Sequence, residues 1–417
     1  MIIGAGFGGL NAAKILANQP GFSITIIDKT NHHLFQPLLY QVATAALSPG
    51  DIAAPIREIF RHNKNIKTIM ATVLAINKRD KVVTLDDNQN ISYDYLIVAP
   101  GSRHSYFGQN QWERFAPGLK TLKDALRVRE MILTSFELAE NTSNTSLIES
   151  LLTFIVIGAG PTGIEMAGAI AEIAHQSLQS NFRSIDPGKT KVYLIEGGNQ
   201  VLNSYPPKLA LCAQRTLEKK RVTVLLNTRV TDITDEGVAF GNQFIPAHNI
   251  IWAAGNEASP LLKTLNVPCD KSGRVIVQPD LSLLMNPDVF VIGDAASFQE
   301  NNQPLPAIAP VALQQGKFVG NLIRKQLSVN SRPVFHYRDK GMMANIGRFN
   351  ALVLSGPLQS SGFFAWIAWC FVHIYFLIGF RTKILVFIDW VFYFFKGQRN
   401  VRLIVRPAKM RKKEKNR

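Results

Sequence analysis

One pattern occurs twice in the chain. Met1-Ile2-Ile3-Gly4-Ala5-Gly6-Phe7-Gly8-Gly9 returns as Phe154-Ile155-Val156-Ile157-Gly158-Ala159-Gly160-Pro161-Thr162-Gly163. Each is a β-branched apolar run, then GxGxxG, then an alanine-rich stretch of helical periodicity. Each continues to a further strand ending in an acid, 23–27 before Asp28 and 191–195 before Glu196. Gly4 and Gly158 permit the tight turn out of the strand. Gly6 and Gly160 let the backbone approach a pyrophosphate, and Gly9 and Gly163 let helix and strand pack closely. The helix N-terminus offers free N–H groups to the phosphates, and the acid meets a ribose. Asp28 lies 24 positions after Gly4 but Glu196 lies 38 after Gly158, so the second unit needs an insertion, placed in the polar stretch 176–189. The doubled pattern predicts two dinucleotide sites.

Three further strand ends fit around these units. Segments 95–101 and 250–255 run from apolar strands into small-residue turns at Ala99 and Gly101 and at Ala254 and Gly255. In 288–296, Gly293 and Asp294 follow a buried strand at the carboxyl edge, where open α/β sheets bind ligands; Asp294 could equally cap a helix. The fold class expected is therefore α/β, with two Rossmann-like dinucleotide-binding domains, one inserted in the other, plus a C-terminal aromatic amphipathic membrane-anchoring helical region. The boundaries are 1–115 with 275–330 for the first domain and 150–270 for the second. The C-terminal region is 331–417, with strands and a turn within 331–355.

Charge and hydropathy then locate the chain. Mean hydropathy is +0.06 and net charge +16. The last 22 residues hold ten Lys/Arg against Glu414 alone. A nucleic-acid reader spreads its basic residues over a folded surface, so no nucleic-acid partner is assigned. This tail, 396–417, follows segment 363–395, which contains fourteen of the 39 Phe, Trp and Tyr residues. Aromatic residues at headgroup depth with basic residues beside them predict a monotopic anchor at 362–395 on an anionic lipid surface. Two alternatives stay open: a spanning helix over 362–380, which carries no Lys, Arg, Asp or Glu, and simple burial against the protein. No secretory signal opens the chain, which places it on the cytoplasmic face of the inner membrane. The opening strand is short, with Met1, Ile2 and Ile3 ahead of Gly4; either three residues suffice or the true start lies upstream.

Two dinucleotide sites in one chain imply that one cofactor serves the other. The N-terminal site is expected to hold FAD and the inserted one NADH, hydride passing from nicotinamide C4 to flavin N5. Glu196, with no arginine after it, favours NADH over NADPH. A disulfide reductase needs a cysteine pair, and Cys212, Cys269 and Cys370 are far apart. With an anchor present, a membrane quinone is the natural acceptor. No metal spacing surrounds His32 and His33, and no metal is assigned.

The sequence resembles the type II, non-proton-pumping NADH:quinone oxidoreductases, within the two-dinucleotide-binding-domain flavoproteins. The resemblance covers nearly the whole chain. It is carried by Asn31-His32-His33-Leu34-Phe35-Gln36-Pro37-Leu38-Leu39-Tyr40-Gln41-Val42-Ala43-Thr44, by 305–316 with Ala309-Pro310-Val311-Ala312-Leu313-Gln314-Gln315, and by Asp339-Lys340-Gly341-Met342-Met343-Ala344-Asn345-Ile346-Gly347-Arg348. It implies that Gly4, Gly6, Gly9 and Asp28 hold the FAD pyrophosphate and ribose, that Asp294 meets its ribityl region, and that Pro37 to Thr44 pass near the flavin. Gly158, Gly160, Gly163 and Glu196 would bind NADH, with Glu165 at the nicotinamide–flavin contact. Gln314 and Gln315 would stand at the quinone entrance with Ala309 and Ala312. Lys340 would pair with Glu165 or a quinone carbonyl. Many members have glutamine where this chain has Pro310, which has no N–H to donate.

From the residues alone, Glu165 could instead serve the helix dipole, Gln314 and Gln315 could be ordinary helix positions, and Lys340 a turn lysine. A homodimer is compatible with the reading. Competing functions are a related flavoprotein reductase with a protein or sulfide partner, and a non-catalytic flavin-binding membrane sensor.

Overall fold

A computed structural model describes residues 1–397, 399 and 401–404. By contacts the chain forms two units. The first comprises Met1–Leu34, Ala53–Ser105 and Asn256–Lys340; the second comprises Phe35–Ile52, Tyr106–Gly255 and the described residues from Gly341 onward. The expected boundaries are cut differently, since 35–52 and the C-terminal region both group with the second glycine turn.

In the first unit a six-stranded sheet runs Ser282–Leu283, Asn286–Val291, Leu96–Val98, Ile2–Ile3, Ile24–Asp28, Ile66–Met70. All neighbours are parallel except the first pair. The winding direction reverses beside Ile2–Ile3, as in doubly wound sheets. That strand has two residues, but both are paired on both sides, Ile2 with Ile26 and Ile97 and Ile3 with Ile27 and Val98. Ile3, Ile27, Leu96, Val98 and Val291 join one buried cluster with Leu262 and Leu265. Near-continuous apolar strands are what a parallel sheet covered on both faces requires.

In the second unit the parallel order is Val222–Leu225, Lys191–Ile195, Thr153–Ile157, Asn249–Trp252, the same winding around the second glycine turn. Every residue of Thr153–Ile157 is buried. The helix after the turn, Pro161–Glu172, passes into a π-helical turn at Ile173–Ser177. The insertion then runs to a short 3-10 turn, Pro187–Lys189, before Lys191–Ile195 begins. Beyond Gly341 the expected strands and turn are a three-stranded antiparallel sheet, Met342–Asn345, Ala351–Ser355 and Leu358–Gly362.

Two helices follow, Phe363–Phe376 and Phe380–Lys396, of 14 and 17 residues. At about 1.5 Å per residue they extend roughly 21 and 25 Å, both short of the roughly 30 Å of a hydrocarbon core. Among the described residues no helix is long and apolar enough to cross a membrane. The uncharged run 362–380 is broken at Leu377 and Gly379, where the chain leaves helical geometry. The pair divides its side chains: Trp366, Trp369, Val386 and Trp390 are buried, whereas Phe364, Phe371, Tyr375, Phe380 and Phe395 are each at least two-thirds exposed. Simple burial is therefore also ruled out for this segment.

Candidate active site

Each glycine turn builds a crevice by the same bonds. Gly4 N–H donates to Ile27 O and Gly158 N–H to Ile195 O, both at 2.8 Å. A Cβ on Gly9 would lie 1.8 Å from Gly4 O, and one on Gly163 would lie 1.8 Å from Gly158 O, so neither position admits a side chain. Gly4 (φ +91°) is equally closed, since a Cβ there would meet Ala99 O at 2.2 Å. Gly6 and Gly160, in contrast, face open space. They head helices Phe7–Leu16 and Pro161–Glu172, which have no side-chain cap and no acid in the first turn. An unfilled N-terminus beside a side-chain-free turn suits a pyrophosphate.

The acids close the crevices in the same way. Ala5 N–H donates to Asp28 Oδ2, and Ala159 N–H donates to Glu196 Oε2, both at 2.7 Å. Ala99 and Gly101 (φ +72°) edge the first turn, and Ala254 and Gly255 (φ +66°) edge the second. Gly293 N–H donates to Gln315 Oε1 at 2.7 Å, and Asp294 Oδ2 accepts from Ser102 Oγ at 2.7 Å. Asp294 is not a helix N-cap; it lies inside the 3-10 turn Gly293–Ala295. The residues present thus fit one dinucleotide in each unit.

The second unit also encloses a cavity of about 30 Å³. It is walled by helix Leu39–Ala43 (Tyr40, Gln41), by helix Pro161–Glu172 (Glu165, Glu172), by Asn345, and by the two C-terminal helices (Trp366, Trp369, Cys370, Asp389, Trp390, Tyr393), with Arg399 beyond them. Glu165 and Glu172 stand seven residues apart, two turns along one helix face. Glu165 is past the first turn, and its Oε1 accepts from Asn345 N–H at 3.2 Å rather than serving the helix terminus. It keeps some accessible surface on the cavity side. Enclosure nevertheless pushes its carboxyl up to about 8, against the lowering effect of the Asn345 N–H. Burial and the Glu165 charge raise Tyr40 well above the usual phenol range; its hydroxyl accepts from Asn345 Nδ2 at 2.7 Å.

Glu172 is the opposite case. Burial alone would raise its carboxyl, but Lys220 and Arg399 outweigh that and hold it below the ordinary value. Lys220 Nζ approaches at 2.7 Å and Arg399 Nη2 at 3.2 Å, Tyr393 donates its hydroxyl hydrogen, and Arg348 N–H donates at 2.7 Å. Arg399 Nη1 also donates to Thr44 O and Oγ1, at 2.9 and 2.6 Å. This corrects the basic tail at one position: Arg399 is only 4% exposed and neutralises a buried carboxylate instead of facing lipid. Arg402 donates to Ser177 O. Residues 405–417 of that tail lie outside the described residues.

The other expected residues fall as follows. Pro37 lies in the 3-10 turn Gln36–Leu38, and Thr44 ends helix Leu39–Ala43. Gln315 is buried, whereas Gln314 Oε1 accepts from Arg338 N–H (3.0 Å) and its Nε2 donates to Arg338 O (2.9 Å). Lys340 is exposed at the end of the first unit. His33 is buried, its Nδ1 2.8 Å from Ala5 O, and burial lowers its pKa toward the neutral ring. Cys212, Cys269 and Cys370 are all free. Sequence reasoning missed Glu172, Lys220, Tyr393 and Arg399. Only Glu172 had a local signal, an acid two turns after Glu165 on an otherwise apolar helix.

Comparison with known proteins accords with this geometry. Residues 1–316 match the pyridine nucleotide-disulphide oxidoreductase family. The chain is 43% identical over 407 residues to the type II NADH:quinone oxidoreductase NdhA of Mycobacterium tuberculosis, covering 94% of this chain and 86% of that protein. It is 41% identical over 414 residues to the type II NADH:quinone oxidoreductase Ndh of the same organism, covering 96% and 88%. In fold it is similar to NDH2 of Plasmodium falciparum in complex with NADH, with TM-score 0.87, 20% identity, and 96% and 98% of the two chains covered.

Proposed function

The chain belongs to the type II NADH:quinone oxidoreductases, and we infer from that membership and its two nucleotide crevices that it oxidises NADH and delivers the electrons to a quinone. A bound FAD supplies the hydride acceptor for NADH and the electron donor to quinone. Gly4, Gly6, Gly9 and Asp28 hold its pyrophosphate and adenosine ribose. Gly293 and Asp294 line its ribityl side, Ala99 and Gly101 its turn, and Pro37 to Thr44 the flavin. Gly158, Gly160, Gly163, Glu196, Ala254 and Gly255 hold NADH, and the Glu196 carboxylate repels a 2′-phosphate. Glu165 keeps its proton at neutral pH and hands it toward the reduced quinone. Gln314, Gln315 and Lys340 orient the quinone, with Pro310 in place of the usual glutamine.

Attachment is monotopic. The exposed aromatic face of Phe363–Phe376 and Phe380–Lys396 enters the headgroup region of an anionic lipid surface on the cytoplasmic side.

The observation that carries this reading is the doubled crevice in a chain whose cysteines are all free. Two dinucleotides in one chain exchange hydride, and without a thiol pair the electrons leave to a diffusing acceptor. Anaerobic addition of NADH to the purified yellow protein, followed by a soluble quinone, tests it. Bleaching and then recovery of the flavin colour is expected. Absence of bleaching, or bleaching that quinone cannot reverse, sinks the assignment.

A further inference from the structure

Reduction of quinone by NADH takes up a proton. NADH, quinone and H⁺ give NAD⁺ and quinol: the hydride brings two electrons and one hydrogen, and the other hydrogen comes from water. If Glu165 hands its proton toward the quinone, as proposed above, the replacement has to reach it past a cavity wall in which Trp366, Trp369 and Trp390 are all buried. Few wall groups can carry it. Glu172 is held as an anion by Lys220 and Arg399. Burial raises the phenols of Tyr40 and Tyr393, and it pushes the Cys370 thiol up to about 12, so none of these gives up a proton near neutral pH. Glu165 can carry a proton but stands on the helix of the nucleotide turn, and needs resupply.

Asp389 is the one remaining wall acid. It is the sole acid of helix Phe380–Lys396, set among aliphatic and aromatic residues and half-buried. Among the described residues none hydrogen-bonds or ion-pairs with it. A half-buried carboxylate among apolar residues with no described counter-ion costs stability. Its acidic neighbour is Asp51, in the turn Pro49–Asp51, whose own charge is met by the exposed Arg381. Burial first, and then the Asp51 charge, raise the Asp389 carboxyl, the direction a proton carrier near neutral pH requires.

We propose that Asp389 is the proton inlet of the cavity, taking a proton from water beside the Asp51 turn and releasing it inside to Glu165, which passes it to the quinone oxygen. The cavity of about 30 Å³, which both carboxyls line, accommodates roughly two waters. In each turnover Asp389 loses one proton inward and regains one from solvent, so its charge is unchanged at the end.

The test compares the FAD-loaded full chain with Asp389→Asn and Asp389→Glu, using a short soluble quinone in detergent so that membrane attachment plays no part. Bleaching by NADH should persist in both variants. Reoxidation by quinone should slow about a hundredfold in D389N, the lower range for a lost proton-transfer group. D389E should keep most of the rate, and acetate or azide should restore part of the D389N rate. An infrared pH titration of the protein alone should lose one protonated-carboxyl signal in D389N. Reoxidation of D389N at the unmodified rate across the pH range overturns the proposal, as does equal slowing in D389N and D389E. Unmodified protein that NADH bleaches but quinone cannot reoxidise overturns the quinone assignment instead.

Discussion

The two glycine turns have one frame and different continuations. Both hold their acid through an alanine N–H at 2.7 Å, Ala5 to Asp28 and Ala159 to Glu196. Past the turn they diverge. Asn11 occupies the step of the first helix that Glu165 occupies in the second, and it only bonds back to Phe7 O at 2.8 Å. The step of Glu172 corresponds to Asn18, already beyond the end of helix Phe7–Leu16 and left-handed at φ +57°. The first helix instead spends its surface on close packing: a Cβ on Gly316 of helix Ala309–Arg324 would lie 2.1 Å from Gly8 O. The glycine frame therefore specifies nucleotide binding in both units, and one helix face two turns long specifies which unit lines a cavity with carboxyl groups.

The largest effect should come from breaking the frame on each side separately. Gly9→Ala and Gly163→Ala each force a methyl group to 1.8 Å from a carbonyl oxygen, a backbone conflict of about 3 kcal/mol or more. G9A should purify without flavin. G163A should keep its yellow colour but lose NADH bleaching, measured by stopped-flow absorbance. If both variants lose the same ligand, the division of labour between the turns is wrong.

Next in size is the ion pair that the first unit lacks. Arg399→Met leaves Lys220 as the one described cation on Glu172 and should cost about 3 kcal/mol in urea unfolding, as removal of one partner from a buried pair does. Glu172→Gln combined with R399M and Lys220→Met should recover part of that loss, because no unpaired charge then remains. An R399M protein as stable as the parent would mean that Arg399 contributes nothing to holding Glu172 and Thr44 together.

These two experiments also separate what was legible in the sequence from what was not. The glycine frame was legible because its constraint is local sterics: Gly4 must clear Ala99, and Gly9 must clear Gly4 O. The break at Leu377–Gly379 was partly legible through Arg381 and Lys383, which already divided the aromatic segment. The cavity was not, because Gln41, Glu165, Asn345, Trp390 and Arg399 meet only through tertiary packing, as when Trp390 Nε1 donates to Gln41 Oε1 at 2.8 Å. Arg399 was misread for a physical reason. A positive charge in a basic tail carries no sign of whether its counter-ion is lipid or a carboxylate 227 positions away.

Glu165 supplies the third contrast, against Asn11. Glu165→Gln should leave NADH bleaching intact and slow quinone reduction by about a hundredfold. With its proton held up to about 8, the quinone step of the parent should fall as pH rises through that value, and E165Q should be flat there. Stability follows the same proton. The unfolded chain releases it in the ordinary carboxylate range and the folded protein only near about 8, so the unfolded state is the first to deprotonate. Native stability should therefore fall with rising pH between those limits. E165Q should remove that slope in urea midpoints measured from pH 5 to about 8. A slope unchanged by the substitution would assign it to other groups.

The smallest effect concerns the acids that the two turns share. Glu196 Oε1 also accepts from Gly198 N–H at 2.8 Å, and Asp28 Oδ1 from Thr30 N–H at 2.7 Å, so both carboxylates are fixed by backbone. Their rigidity makes them poor at moving aside for a phosphate. A 2′-phosphate placed beside Glu196 meets a like charge, and Gly197, Gly198 and Asn199 supply no cation to compensate. The parent should prefer NADH over NADPH by about a hundredfold in kcat/KM. Glu196→Gln keeps the shape and one acceptor oxygen but removes the charge, so the preference should narrow by roughly tenfold, mostly through KM for NADPH. Asp28→Asn is the control from the other turn: it should weaken flavin retention and leave the nucleotide preference alone. Equal use of both nucleotides by the parent, or a preference that moves with Asp28 rather than Glu196, would reverse the assignment of the two turns.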